Sequence, residues 1–123
     1  MARSTTKLAT RLAARPLTFI GSSLDDLRDF PRDARREAGF QLDKVQNGEN
    51  PDDWKAMSSV GSGAYEIRIR DDTGVFRIIY VAKFSEAVYV LHAFRKKSRK
   101  TAKKNIDLAV ARYQEMTTER RRQ

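Results

Sequence analysis

Between Ala64 and Phe94 the chain leaves little choice but three antiparallel strands. Ala64 to Arg70 alternates, with Tyr65, Ile67 and Ile69 on one side and Glu66, Arg68 and Arg70 on the other, the period-two pattern of a strand with two different faces. Asp71-Asp72-Thr73-Gly74 is turn chemistry, its glycine free to adopt positive φ. Val75 to Val81 is an apolar run holding one charge, Arg77, and Ala87 to Phe94 is nearly all apolar. Runs this apolar fit strands buried on both faces at a sheet centre. Connections of about four residues are too short for crossovers and make the three strands a meander.

The remaining segments supply cover for that sheet. Leu17-Thr18-Phe19-Ile20 reads as an opening strand ended by Gly21. Ser22 or Ser23 then caps a helix with Asp25 and Asp26 in its first turn, where carboxylates favour the dipole. Leu24, Leu27 and Phe30 form its stripe, and Pro31 opens a second helix presenting Ala34, Ala38, Leu42 and Val45. Asn47-Gly48 closes it with a left-handed glycine cap. Glu49 to Gly63 reads as a loop pinned by a buried Trp54, with base stacking as the alternative use of that ring. Thr101 is the expected N-cap of a last helix whose apolar face is Ile106, Ala109, Val110, Tyr113 and Met116. The expectation is an α+β domain over residues 16–118: a small, mostly antiparallel sheet made of an N-terminal strand and a three-strand meander, with a helical hairpin on one face and a C-terminal helix. Residues 1–15 read as a basic, loosely ordered arm and 119–123 as a fraying basic tail.

Charge placement narrows the partners. Residues 1–15 carry +4, residues 16–91 carry −3 and residues 92–123 carry +8, together the net +9. A slightly acidic body with basic ends suits a polyanion, whether nucleic acid, an anionic membrane surface or an acidic protein. No apolar run approaches the length needed to span a bilayer, and the expected location is the cytoplasm. There is no cysteine and one histidine, His92, so thiol chemistry and His-rich metal sites are out and neither metal nor cofactor is expected. Gly61-Ser62-Gly63 is too short to cradle a phosphate and precedes a strand rather than a helix. The pairs Asp52-Asp53 and Asp71-Asp72 read as loop and turn acids.

The third strand of the meander runs into a cationic block: seven Lys or Arg and no acid from Arg95 to Lys104. Burying that much unpaired charge costs several kcal/mol per cation, so the block faces water or a polyanion. Short turns bring Arg68, Arg77 and the 92–97 segment to one side of the sheet, where cations hold a phosphate and Phe94 offers a stacking platform. Each residue has a plainer role open to it. Arg77 can pair with Glu66; Arg68 and Arg70 can be a solvated strand face; His92 and Phe94 can belong to the core; Lys96-Lys97 can be a solvated run. Glu66 alone is weak evidence for a general base.

Four passages in order, Phe30-Pro31 with Ala34-Arg35, Gly63-Ala64-Tyr65-Glu66-Ile67-Arg68, Phe76-Arg77-Ile78-Ile79-Tyr80, and Leu91 to Ser98 followed by Lys100-Thr101, resemble the RelE/ParE toxin superfamily of type II toxin–antitoxin systems, in its HigB-like, phage-derived branch. The resemblance covers about Leu17 to Met116; Ala102 stands where such chains often carry proline. It implies a RelE-like fold and a ribosome-dependent mRNA endonuclease, neutralised by a cognate antitoxin with a helix-turn-helix DNA-binding domain. Cleavage would be metal-independent, the ribose 2′-OH attacking its own 3′-phosphate. Carried over, the catalytic set is Arg68, Arg77, His92, Lys96 and Lys97, surrounded by RNA-contacting Glu66, Arg70, Phe94, Arg95, Arg99 and Lys100. For proton transfer, His92, a lysine depressed by its cationic neighbours, and Glu66 stay open. The same superfamily implies a rival, inhibition of DNA gyrase, and a non-catalytic binding module is a third reading.

Overall fold

Leu17–Phe19 (β1), Trp54–Ala56 (β2), Ala64–Asp71 (β3), Gly74–Val81 (β4) and Val88–Lys96 (β5) form one sheet in the order β1-β5-β4-β3-β2 in the computed structural model, which describes residues 14–97 and 101–123. β3, β4 and β5 are the expected antiparallel meander, and the two most apolar strands lie inside it. β1 runs parallel to β5 at one edge, pairing Leu17 with Val88 and Phe19 with Val90.

Two layers of helix sandwich the sheet. Ser23–Arg28 (α1) and Arg32–Gln46 (α2) form the hairpin. Its stripe of Leu27, Ala34, Ala38, Leu42 and Val45 packs on Ile67, Ile69, Phe76, Ile78 and Tyr80, one face of β3 and β4. Alanines at two successive turns let the helix backbone approach the sheet closely. Gly48 takes φ 81°, the left-handed cap that ends α2. On the opposite face, Lys103–Arg122 (α3) buries Ala109 and Met116 against Ile79, Val81, Tyr89 and Leu91.

Four sequence expectations need correction. The segment read as a loop contains β2, which pairs antiparallel with β3, and Trp54 is 41% exposed rather than a buried pin. Thr101 does not cap α3; Ala102 holds that position and no side chain caps the helix there. The expected fraying tail is helix through Arg122, because Arg120 reaches Glu86 (Nε to Oε2, 2.6 Å) and lies 3.4 Å above the Phe84 ring. Arg15, assigned to the arm, is instead anchored: its guanidinium donates to the carbonyls of Ala82, Phe84 and Val45. The rest of that arm, residues 1–13, lies outside the described residues.

One irregularity sets the site. β5 pairs Ile79 with His92 and then Tyr80 with Val90, so Leu91 is an extra residue. Such a bulge breaks strict alternation. Val90 faces the hairpin side, whereas Leu91 and His92 both reach toward α3.

Candidate functional site

Past the N-terminal end of α3, the same sheet face is left to charged side chains. Cross-strand register stacks them in rows: Lys55 opposite Glu66, then Arg68–Arg77–Phe94, then Arg70–Val75–Lys96. Residues directly opposite lie about 5 Å apart, close enough for their side chains to interact.

Glu66 is the centre of this patch. It is 0% exposed, yet it is a carboxylate, so burial requires compensation. Its Oε1 accepts from Arg77 Nη1, with Arg68 Nε at 3.8 Å and Lys55 Nζ at 3.9 Å. Its Oε2 accepts from the Thr101 hydroxyl at 3.2 Å. Arg77 is 3% exposed, so of the two roles open to it in the sequence the pair with Glu66 is formed. One carboxylate does not exhaust three cations. The Nε groups of Arg68 and Arg77 are buried with no hydrogen-bond partner among the described residues. Lys96 adds further charge, and its ammonium is held below the usual lysine range, first by desolvation and then by Arg77 and Arg68. The patch therefore keeps surplus positive charge, and it is the partly exposed Arg68, Lys55 and Lys96 side chains, not the buried Nε groups, that present it to an anion.

A groove of about 230 Å³ opens beside it, lined by Phe94, Lys96, Lys97, Thr101, Lys104 and Asn105 among others. Lys97 is exposed at its rim. Arg70 is exposed on the β3 row. Arg95 also lines this groove, but its guanidinium does not join the patch. Arg95 pairs with Phe76 in register, which sends its guanidinium to the hairpin side, 5.6 Å from the Phe76 ring and donating to Thr73 O. Arg99 and Lys100 lie outside the described residues.

His92 does not join the cationic cluster. It stands two strands from Glu66, about 10 Å by strand spacing. It is 5% exposed and stacks on Phe94 with centroids 4.8 Å apart. Its Nε2 lies 2.8 Å from Asn105 Oδ1, so the Nε2–H tautomer donates there and leaves Nδ1 buried without a partner among the described residues. Burial pushes its pKa below the usual histidine value, against the opposing pull of the Asn105 bond. His92 is thus a neutral ring fixing Phe94 and α3, and the sequence's core alternative describes its surroundings.

Sequence reasoning missed Lys55, Thr101 and Asn105 as site neighbours. Lys55 had no legible face without β2. Thr101 gave the signature of a cap, and a lone asparagine in a first helical turn carries no signal of its own. It also missed Arg112, buried on the sheet-facing side of α3, which donates to Leu91 O at 3.0 Å and Ser22 Oγ at 2.8 Å and ties the helix to β5 and to the residue before α1. Among the described residues no group of three or more His, Asp or Glu could hold a metal ion, and no helix is long and apolar enough to cross a membrane.

Residues 25–114 match the family model described as "Phage derived protein Gp49-like (DUF891)". No curated protein matches the chain. Among solved structures, the E. coli toxin RelE, in a mutant form in the free state, superposes with a TM-score of 0.62 at 20% identity, covering 80% of this chain and 97% of that one. The likeness to that structure concerns the fold, and the α+β RelE-like architecture expected from the sequence is borne out.

Proposed function

The chain belongs to the phage-derived Gp49-like family and has the RelE fold, and from that membership we propose that it is a toxin that cleaves mRNA on the ribosome. The observation that carries the reading is the surplus of cations around buried Glu66, next to the Lys96–Lys97 groove.

The reaction this patch suits is attack of a ribose 2′-OH on the adjacent 3′-phosphate. A bond forms from O2′ to phosphorus, the P–O5′ bond breaks, and the products are a 2′,3′-cyclic phosphate and a 5′-hydroxyl. Charge grows on the non-bridging oxygens as this proceeds, and fixed cations that already face the site offset it without reorganising. Arg68, Arg77 and Lys97 hold the phosphate. Glu66 fixes Arg77 and Arg68 in place, acting as a positioning residue. Lys96, its ammonium made more acidic by its surroundings, donates the proton that the departing O5′ needs, and the 2′-OH proton passes to water. Phe94, half-buried at the groove and backed by His92, offers a ring for the base beside the scissile bond. A cognate antitoxin with a helix-turn-helix domain would neutralise the protein, and the site of action would be cytoplasmic.

The test is purified protein on translating ribosomes. Cleaved mRNA bearing 5′-hydroxyl ends, lost in Arg77→Ala and Lys97→Ala, supports the proposal. Intact mRNA together with blocked DNA supercoiling would instead identify a gyrase inhibitor, and neither effect would leave a binding module.

A further inference from the structure

The other face of the sheet carries a second site. At the β2 edge, on the hairpin side, a cavity of about 300 Å³ is lined by Trp54, Tyr65, Tyr80, Asn50, Arg15 and Lys83, among others. That volume is at the lower end for small-molecule sites and suits a ligand of nucleoside size. The register explains the grouping. Trp54 pairs with Ile67 and Tyr65 with Tyr80, which puts all three rings on the face opposite Glu66. Trp54 meets Tyr65 edge-on at 5.3 Å, and Tyr65 lies 6.0 Å from Tyr80. A short edge strand is an unfavourable place to leave a tryptophan 41% exposed, because its ring is the largest apolar surface a side chain offers.

The two phenols of the cavity are uncommitted, and its cations lack acid partners. Neither phenol is hydrogen-bonded to another described residue, although Tyr80 is 4% exposed. Burial, then the neighbouring Tyr65, pushes the Tyr80 phenol up to about 12, so it remains a donor at any working pH. Arg15 spends its N–H groups on the carbonyls of Ala82, Phe84 and Val45, and no carboxylate pairs with it among the described residues. Lys83 has no carboxylate partner there either, its ammonium lying 3.4 Å from the Tyr113 hydroxyl and 5.1 Å from the Phe84 ring centroid. Glu49 is the one acid of the lining, against two cations. The sequence leading into Arg15 adds Arg3, Lys7 and Arg11 without an acid.

We infer that this cavity binds one nucleotide of single-stranded RNA, its base stacked on Trp54 and Tyr65 and its phosphate facing Lys83 and Arg15. Asn50 and the two phenols then meet the polar edge of the base. Aromatic stacking tolerates any base, while the cations demand a backbone, a combination that neither an apolar peptide nor a bare anion satisfies. The site lies across the sheet from the Glu66 cluster, so it grips the strand without taking part in cleavage. The two readings fail separately, because cleavage is read from RNA ends and this site from its own tryptophan.

Trp54 is the only tryptophan of the chain, so tryptophan-selective fluorescence reports on this cavity. The experiment titrates the full chain with a hexamer of adenylate, and in parallel with inorganic polyphosphate at matched ionic strength. Saturable quenching by the hexamer and not by polyphosphate is expected. Lys83→Glu and Tyr65→Ala should each weaken it about tenfold, the effect of losing one stacking or phosphate contact. Arg32→Glu, exposed at the start of α2 and lining neither site, should leave it unchanged. Equal quenching by polyphosphate, quenching abolished by Arg32→Glu, or quenching indifferent to Lys83→Glu and Tyr65→Ala would overturn the inference. So would a Trp54 already shielded from acrylamide in the free protein.

Discussion

Replacing Glu66 by Gln is the sharpest perturbation of the cationic patch. The change keeps shape and an acceptor oxygen but removes the one negative charge among Arg77, Arg68 and Lys55. Arg77, at 3% exposure, is then a buried guanidinium without a counter-charge. Removing one partner of a buried pair costs about 3–5 kcal/mol. The retained amide oxygen places E66Q at the lower end, about 3 kcal/mol, since Arg68 and Lys55 are partly solvated and add little. Against a total stability of about 5–15 kcal/mol this is a large fraction. With a urea dependence of about 2 kcal/mol per molar, the unfolding midpoint should fall by about 1.5 M. The double variant E66Q/R77M removes both charges and should recover most of the loss, a coupling seen only if the pair is real. An E66Q midpoint within about 0.5 M of the parent, or a double variant as unstable as E66Q, would refute the reasoning; at the same slope, 0.5 M corresponds to about 1 kcal/mol.

Other consequences follow from individual contacts. Arg120 first, then Tyr89, depresses the Glu86 carboxyl to about 2; because the folded value lies below the unfolded one, this contribution is present above about pH 4.5 and lost as pH falls toward 2. Acid unfolding of Arg120→Ala should therefore show a shallower loss over that window than the parent. His92, the only histidine, should titrate below 6.5 by NMR, and its buried neutral ring makes stability fall as pH drops below that value; a midpoint above 6.5 would place it in a different environment. Met116→Ala, in the fully buried seam between α3 and the sheet, should cost about 2–5 kcal/mol in chemical denaturation. His92→Phe should change cleavage by less than about threefold while lowering stability, separating it from Lys96→Ala, whose loss should approach the 10²–10⁴ typical of removing a positioned acid.

The meander was legible because its signals were local. β3 alternates without interruption, the turn at Asp71–Gly74 has the right residues, and β4 and β5 are apolar enough to need cover on both faces. The same logic placed Glu66, Arg68 and Arg77 on one side and offered the Glu66–Arg77 pair as one of two roles. What stayed hidden depended on distant register. β2 is three residues long and leaves no period to read. The bulge at Leu91 is invisible in composition, yet it decides that His92 turns toward Asn105. Arg95 sits within the cationic block, and only strand parity sends it to the opposite face from Lys96. Thr101 carries a cap residue's signature but gives its hydroxyl to Glu66, a contact spanning 35 residues of sequence.

The central claim is that the Glu66-centred patch and the Lys96–Lys97 groove hold an RNA phosphate during cleavage. Sequencing the ends of mRNA recovered from translating ribosomes, with the parent protein and with Lys96→Ala and Lys97→Ala, tests it most directly. New 5′-hydroxyl and 2′,3′-cyclic phosphate ends are expected with the parent, and their loss in both variants. Intact mRNA with the parent, or ends that persist undiminished in both variants, would contradict it.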